Sequence, residues 1–378
     1  MNILVIGNGF DLAHGLPTSY MNFLEFIEKY KEYNDDSLVD CDYNNITVYF
    51  KNLKENKSGI YNEISSLINE NRWVQHFLKL KEKDMLESSQ TWIDFESEIS
   101  KVIQTLDKLK RRFKNDFYSE TNKVRLDEYE FEVLYDIFVF DTKLDTVNSI
   151  LFLKEIEIVT KKLIEDLNRL VRCLEIYLVN YVSNEYFGTL KKKEFITNLK
   201  IDKILSFNYT NTYKRLYGSS HIEFNYIHGM ANNKHDLNSC DLILGIDEYL
   251  KDNEKNQYVD FIQFKKFYQR IYKGTRCLYK EWLETFEISK KKFPKSHRVL
   301  NIYFIGHSLD VTDKDILKEL ILCDGANTTV YYHDQEALGR MISNLVKVIG
   351  EDELIRRTGG SKATINFVQQ PNCGDKYD

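Results

Sequence analysis

Four consecutive aliphatic residues, Ile3-Leu4-Val5-Ile6, stand between polar Asn2 and Gly7. This pattern predicts a strand buried on both faces, as at the centre of a parallel sheet. Three later runs have the same character. Ile204-Leu205-Ser206-Phe207 ends in Asn208-Tyr209-Thr210, Phe224-Asn225-Tyr226-Ile227 ends in His228-Gly229, and Ile302-Tyr303-Phe304-Ile305 ends in Gly306-His307-Ser308-Leu309-Asp310. If these strands lie parallel to the first, their carboxyl ends converge on one sheet edge, where open α/β sheets bind ligands. Between the first two strands the period changes to three or four. Ile156, Val159, Leu163, Leu167, Leu170, Leu174, Tyr177 and Tyr181 form the seam of a long helix, with helices around 64–78 and 99–109 as its expected partners. The expected organisation is an α/β fold, with a parallel sheet built from residues 1–28 plus 200–378 and an all-helical insertion over 29–199.

The first strand runs directly into Gly7-Asn8-Gly9-Phe10-Asp11-Leu12-Ala13-His14-Gly15-Leu16-Pro17. Glycines at 7 and 9 permit a sharp turn that brings bare N–H groups near a phosphate, and a helix starting at Thr18 or Ser19 would aim its positive end the same way. The plainer reading is that the glycines only close a tight turn. Leu12 occupies the third glycine position of the dinucleotide fingerprint, and no lysine and hydroxyl pair completes a P-loop. A nucleotide is the leading ligand class, with Gly7, Asn8 and Gly9 in the first loop and Gly306 and Ser308 after the last of these strands as contacts. Asp11 joins them because a carboxylate in a phosphate loop is unfavourable unless it binds a ribose hydroxyl or a backbone amide.

The spacing G-x-G-x5-G-L-P and the order of the later strand ends resemble the sirtuin-type NAD-binding fold. The opening I-G-N-G-F-D-L-A-H-G-L-P-T-S-Y, the segment S-F-N-Y-T-N-T-Y, the I-H-G and the G-H-S-L-D-V-T-D are similar to signatures of the AbiH family of phage abortive-infection proteins. Trp92-Ile93-Asp94-Phe95-Glu96 resembles a tryptophan-acidic block of the same family. The resemblance implies a sirtuin-like Rossmann sheet, NAD as substrate, and Asn208 and His228 at the nicotinamide ribose. An amide suits a ribose hydroxyl or an attacking water, and an imidazole takes up a proton near neutral pH. Nicotinamide is a cationic leaving group, so the implied chemistry calls for no metal.

Departures from the sirtuin pattern bear on the reaction. Cys41, Cys173, Cys240, Cys277, Cys323 and Cys373 are scattered without a C-x2-C pair, so the zinc module of the deacylases is not expected. Thr210 replaces the aspartate that often follows the catalytic asparagine, and Thr18-Ser19-Tyr20 replaces the aspartate, phenylalanine and arginine after the proline. These losses argue against an acyl-lysine substrate; the resemblance to defence NADases with sirtuin-like domains implies water as the acceptor instead, hence hydrolysis of NAD to nicotinamide and ADP-ribose in antiphage defence. A constitutive NADase would poison its own cell, so activity is expected to wait for a phage-derived trigger, a partner protein or assembly. Two other readings stand beside this one: a nucleotide-binding sensor without turnover, and an enzyme acting on a nucleic-acid end or a nucleotide phosphate.

Each residue also has a purely structural reading. His228 is also read as a buried strand-end histidine, Asn208 as an Asx-turn residue, and His14 as loop packing. His307 is expected to face solvent, and the start of a helix accounts for at least one of Asp310 and Asp313. Glu96 sits in the first turns of a helix, where the dipole explains it, or else reaches the pocket. Lys265, Lys266 and Arg270 make either an exposed amphipathic face or a cationic wall for phosphates. With a net charge of −6 over 378 residues, the chain has no global attraction to nucleic acid. No apolar run reaches transmembrane length and the amino terminus reads as a strand, so a cytoplasmic protein with reduced thiols is expected. The long helical seam is a candidate surface for homo-oligomers.

Overall fold

The computed structural model describes residues 1–34, 45–87, 94–115, 123–138, 146–218, 220–251, 253–293 and 299–371. Strands in chain order are β1 (Asn2–Ile6), β2 (Lys123–Arg125), β3 (Thr146–Asn148), β4 (Lys203–Ser206), β5 (Glu223–Tyr226), β6 (Leu300–Ile305), β7 (Ala326–Tyr332) and β8 (Ile365–Gln369). Six of them make one sheet in the order β5-β4-β1-β6-β7-β8, and every neighbouring pair is parallel. Counted within that sheet, the order is 3-2-1-4-5-6, the doubly wound arrangement of a Rossmann-like α/β fold. The direction of winding reverses between β1 and β6, so the crevice beyond their carboxyl ends is the topological switch point.

The chain divides into two compact units. One comprises Met1–Ser19, Leu178–Ala231 and Lys273–Asp378, and the other Tyr20–Tyr177 and Asn232–Tyr272. The first holds the parallel sheet. Ile3, Leu4, Val5 and Ile6 are all buried, as their unbroken apolar run predicts for a central strand. Ile3 and Val5 pack with Leu205, Ile302, Phe304 and Val330 on one face, while Leu4 and Ile6 pack with Ile204 and Ile305 on the other. The helix Lys314–Leu322 follows β6 and buries Ile316, Leu317, Leu320 and Ile321, the three-and-four spacing of an amphipathic crossover.

The second unit is built around the helix Ser149–Ile176, which packs on the helices Ser58–Ile68, Arg72–Glu87 and Phe95–Asn115. Its seam is the predicted one, and a π-helical turn, Tyr177–Val182, continues it. This unit is not wholly helical, because β2 and β3 pair antiparallel. Residues 232–272 belong to it as well, although they follow three strands of the sheet in sequence. The divisions between the two units fall at 19/20, 177/178, 231/232 and 272/273. Among the described residues no helix is long and apolar enough to cross a membrane.

Candidate functional site

The ends of β1, β4, β5 and β6 meet at one edge because all four strands point the same way. The glycine segment after β1 is not an open loop. It forms a short helix, Asn8–Ala13, and the helix expected at Thr18 or Ser19 begins at Tyr20 in the other unit. Gly9 N–H donates to Gly306 O at 2.8 Å and Phe10 N–H to Gly7 O at 2.8 Å, so these amides are already engaged. The contact is backbone on backbone. A Cβ on Gly7 would lie 2.8 Å from Gly306 O, and one on Gly306, whose φ is +66°, would lie 2.0 Å from Phe10 N. Glycine is therefore required at these positions to close β1 onto β6 at the switch point. Asn8 anchors the far side, donating to Thr18 O at 3.0 Å and accepting from Thr18 Oγ1 at 2.7 Å. Ser308 is exposed, and its carbonyl accepts from Asn344 Nδ2 at 3.0 Å.

Asp11, on the short helix, is 1 % exposed and lies beside Thr210, Thr212 and Asn208. Thr210 donates its hydroxyl to Asp11 Oδ2 and contacts Thr212 Oγ1 at 2.9 Å. Burial pushes the Asp11 carboxyl up to about 6, against the opposing pull of Thr210, Thr212 and Asn208. Burial, and after it the Asp11 carboxylate, raises the Tyr226 phenol. Asn208, 5 % exposed, lies close enough to favour the charged form of Asp11, yet neither atom of its carboxamide is in hydrogen-bond geometry with any partner. The Asx-turn reading of Asn208 does not hold. Ser206 makes that local turn instead, with its hydroxyl donating to Asn208 O and accepting from Asn208 N–H, both at 3.2 Å. A carboxylate stands beside the Asn208 amide, supplied by Asp11.

His228 lies at the same edge in a different cluster. Its Nε2 is 3.2 Å from Asp313 Oδ1, and Asp313 Oδ2 is 3.7 Å from His307 Nε2. The Phe207 ring meets the His228 ring edge-on at 5.3 Å and the His307 ring at 4.4 Å. The structure thus gathers Asn208 and Asp11 in one group and His228, Asp313 and His307 in another, with Phe207 next to Asn208 in the chain. Placing His307 in solvent is corrected by its burial. Asp310, not Asp313, does the capping, accepting from Thr312 N–H at 3.0 Å. His14 packs as expected, bonded to Phe10 O at 2.7 Å and Tyr217 Oη at 2.8 Å.

Other candidates fall in the helical unit. Lys265 and Lys266 form neither an exposed face nor an open cationic wall: each is 2 % exposed, Lys265 bonded to both Glu248 oxygens at 2.8 Å and Lys266 to Glu96 Oε2 at 2.7 Å. Arg270 is buried with them. Glu96 occupies the first turn of the helix Phe95–Asn115, and Asp94 Oδ1 accepts its N–H at 3.0 Å. Trp92 and Ile93 lie outside the described residues. Cys173, Cys240, Cys277 and Cys323 are free thiols, while Cys41 and Cys373 lie outside the described residues.

Comparison with known proteins agrees with the motif reading at the level of the family. No curated protein and no solved structure matches the chain significantly. The family model described as bacteriophage abortive infection AbiH matches residues 3–332, which takes in the glycine segment, the Asn208 and His228 strand ends and the Gly306 turn. The chain therefore belongs to the AbiH family of bacteriophage abortive-infection proteins.

Proposed function

We propose that this abortive-infection protein binds NAD at the carboxyl edge of its sheet and, on infection, hydrolyses it to nicotinamide and ADP-ribose. The observation that carries the reading is the Asn208 carboxamide, buried at the edge without a hydrogen-bond partner beside the Asp11 carboxylate. Buried polar groups in folded proteins are nearly always satisfied, so an orphaned amide at the carboxyl edge of a parallel sheet, one strand from the switch point, calls for a ligand. A ribose hydroxyl or a water offers both the acceptor and the donor that Asn208 lacks. Asp11 suits a hydroxyl far better than a phosphate, and its negative charge favours the positive charge that develops on the ribose as the C–N bond breaks. His228 serves as base, and the sirtuin-like order of the motifs supports NAD over other nucleotides.

Incubating purified protein with NAD, with and without phage lysate, and quantifying nicotinamide tests this. The expected result is lysate-dependent release that is abolished in Asn208→Ala and His228→Ala. Tight NAD binding without release in any condition would replace the enzyme with a sensor. Loss of phage protection in both variants while NAD is never consumed would move the chemistry to a nucleic-acid end or a nucleotide phosphate.

A further inference from the structure

A cavity of about 330 Å³ lies at the other edge of the sheet from Asn208. All of its lining falls between residues 192 and 222, within the unit that holds the sheet. Lys200, Ile201 and Asp202 lead into the amino end of β4, and Ile222 leads into that of β5, which places the cavity at the amino edge. Tyr213, on the helix Thr212–Leu216, and Ile196, on the helix Glu194–Thr197, are buried in its wall beside Tyr217. Lys192 and Lys200 line it while exposed to solvent, and neither pairs with a carboxylate among the described residues. Asp202, the acid in the lining, is turned to β1 instead, where its Oδ2 accepts Asn2 N–H at 2.8 Å.

We propose that this cavity is a second ligand site, for a small molecule with a flat aromatic body and an anionic group. An apolar wall with a few convergent polar groups, in a space of about 300 Å³ or more, is the usual form of a small-molecule site. The aromatic body packs on Tyr213, Tyr217 and Ile196, and the anion meets the Lys192 and Lys200 ammonium groups. The wall is also bonded to the segment that carries Asp11. Tyr217 Oη accepts Lys193 N–H at 2.6 Å and lies 2.8 Å from His14 Nε2, while His14 Nδ1 lies 2.7 Å from Phe10 O. A carbonyl only accepts, so His14 donates through Nδ1; burial favours its neutral form, and Nε2 then accepts the Tyr217 hydroxyl. The fully buried Phe10 ring packs on the His14 ring at 4.5 Å and on Tyr213 at 6.0 Å. Asp11 follows Phe10 in the chain, and Thr212, which touches Thr210 beside Asp11, precedes Tyr213. Occupancy of the cavity is therefore read by His14 and passed to the helix Asn8–Ala13. The inference stands apart from the NAD reading, since binding at this edge requires no turnover.

Isothermal titration calorimetry of the full chain with AMP, nicotinate and inorganic phosphate tests the site. Binding of AMP alone marks a nucleotide site, and binding of nicotinate as well marks a site for aromatic anions in general. Phosphate is expected to bind at least about 10-fold more weakly than AMP, because it makes only the lysine contacts. Two variants locate the ligand. Thr197→Trp, at an exposed position in the lining, fills the cavity, and Lys192→Glu with Lys200→Glu reverses the charge at its mouth. Each is expected to weaken AMP by about 10-fold or more, whereas Asn208→Ala at the carboxyl edge keeps the same affinity. Nitrogen-15 NMR of histidine-labelled protein, with His14→Gln assigning the ring, is expected to show the His14 resonances moving with AMP in the wild type and Asn208→Ala but not in Thr197→Trp. Failure of both AMP and nicotinate to bind overturns the proposal, as does phosphate binding as tightly as AMP. So does binding that leaves His14 unmoved, or that is kept in Thr197→Trp and lost in Asn208→Ala.

Discussion

Replacing Gly306 by alanine probes the closure of the switch point. The added Cβ would meet Phe10 N at 2.0 Å, Gly9 C at 2.4 Å and Phe10 Cα at 2.8 Å, all backbone atoms with no rotamer to escape through. Ordinary contact begins near 3.4 Å, so the helix Asn8–Ala13 has to retreat by about 1.4 Å from Gly306. Alanine at a left-handed φ costs about 1–2 kcal/mol. Overpacking adds about 1–3 kcal/mol, and loss of the Gly9 N–H bond to Gly306 O about 1 kcal/mol more. The sum, about 3–6 kcal/mol, corresponds to a fall in Tm on the order of 10–20 °C for a unit of this size. Gly188→Ala is the matched control, because nothing lies within 4 Å of its Cβ position, and it should stay within about 0.5 kcal/mol of wild type. Thermal unfolding followed by circular dichroism measures both. Equal Tm values for the two variants would refute the account of the glycine segment as a backbone contact.

Two further predictions concern buried charge. The Asp11 carboxyl is raised from 3.8 to about 6, so the native state binds a proton that the unfolded chain has released between these values. Stability from this group is therefore present below about pH 4 and is lost as pH rises through about 6, by roughly 3 kcal/mol. Asp11→Asn is expected to match wild type in urea denaturation at pH 4 and to be the more stable protein at pH 7.5; a gap that does not change with pH contradicts the burial argument. In the helical unit, Glu96→Gln removes the carboxylate that pairs with the buried Lys266 ammonium and should cost about 3 kcal/mol. The double variant Glu96→Leu with Lys266→Met should recover most of that loss, and a double variant as unstable as the single one argues against the ion pair.

The sheet was legible where apolar runs were short, unbroken and ended by glycine or polar residues. Ile3 to Ile6 gave the central strand, and parallel pairing of β4, β5 and β6 with their neighbours gave the convergent edge. β8 was not legible, because Ile365–Gln369 carries one fully buried position in a largely exposed strand. Charges were misread wherever a partner lay far along the chain. Lys266 looks solvated beside Phe267 and Tyr268, but it meets Glu96, 170 residues away. His307 looked like a surface residue because its neighbours Phe207 and Asp313 meet it only in the folded edge. The glycine segment misled in another way: bare glycine amides suggest an anion, and only the tertiary contact reveals that Gly9 N–H is bonded to Gly306. Return of residues 232–272 to the helical unit leaves no periodic signal, because the segment contains only short helical pieces.

The most direct test of the central claim is the NAD content of infected cells, measured over time in bacteria carrying the wild type, Asn208→Ala or His228→Ala. Truncating Asn208 removes no side-chain hydrogen bond of the resting protein, so that variant should fold and accumulate normally. The account predicts that NAD falls after infection only with the wild type, and that both variants keep their NAD and lose protection. Protection by the wild type while NAD stays level would contradict it.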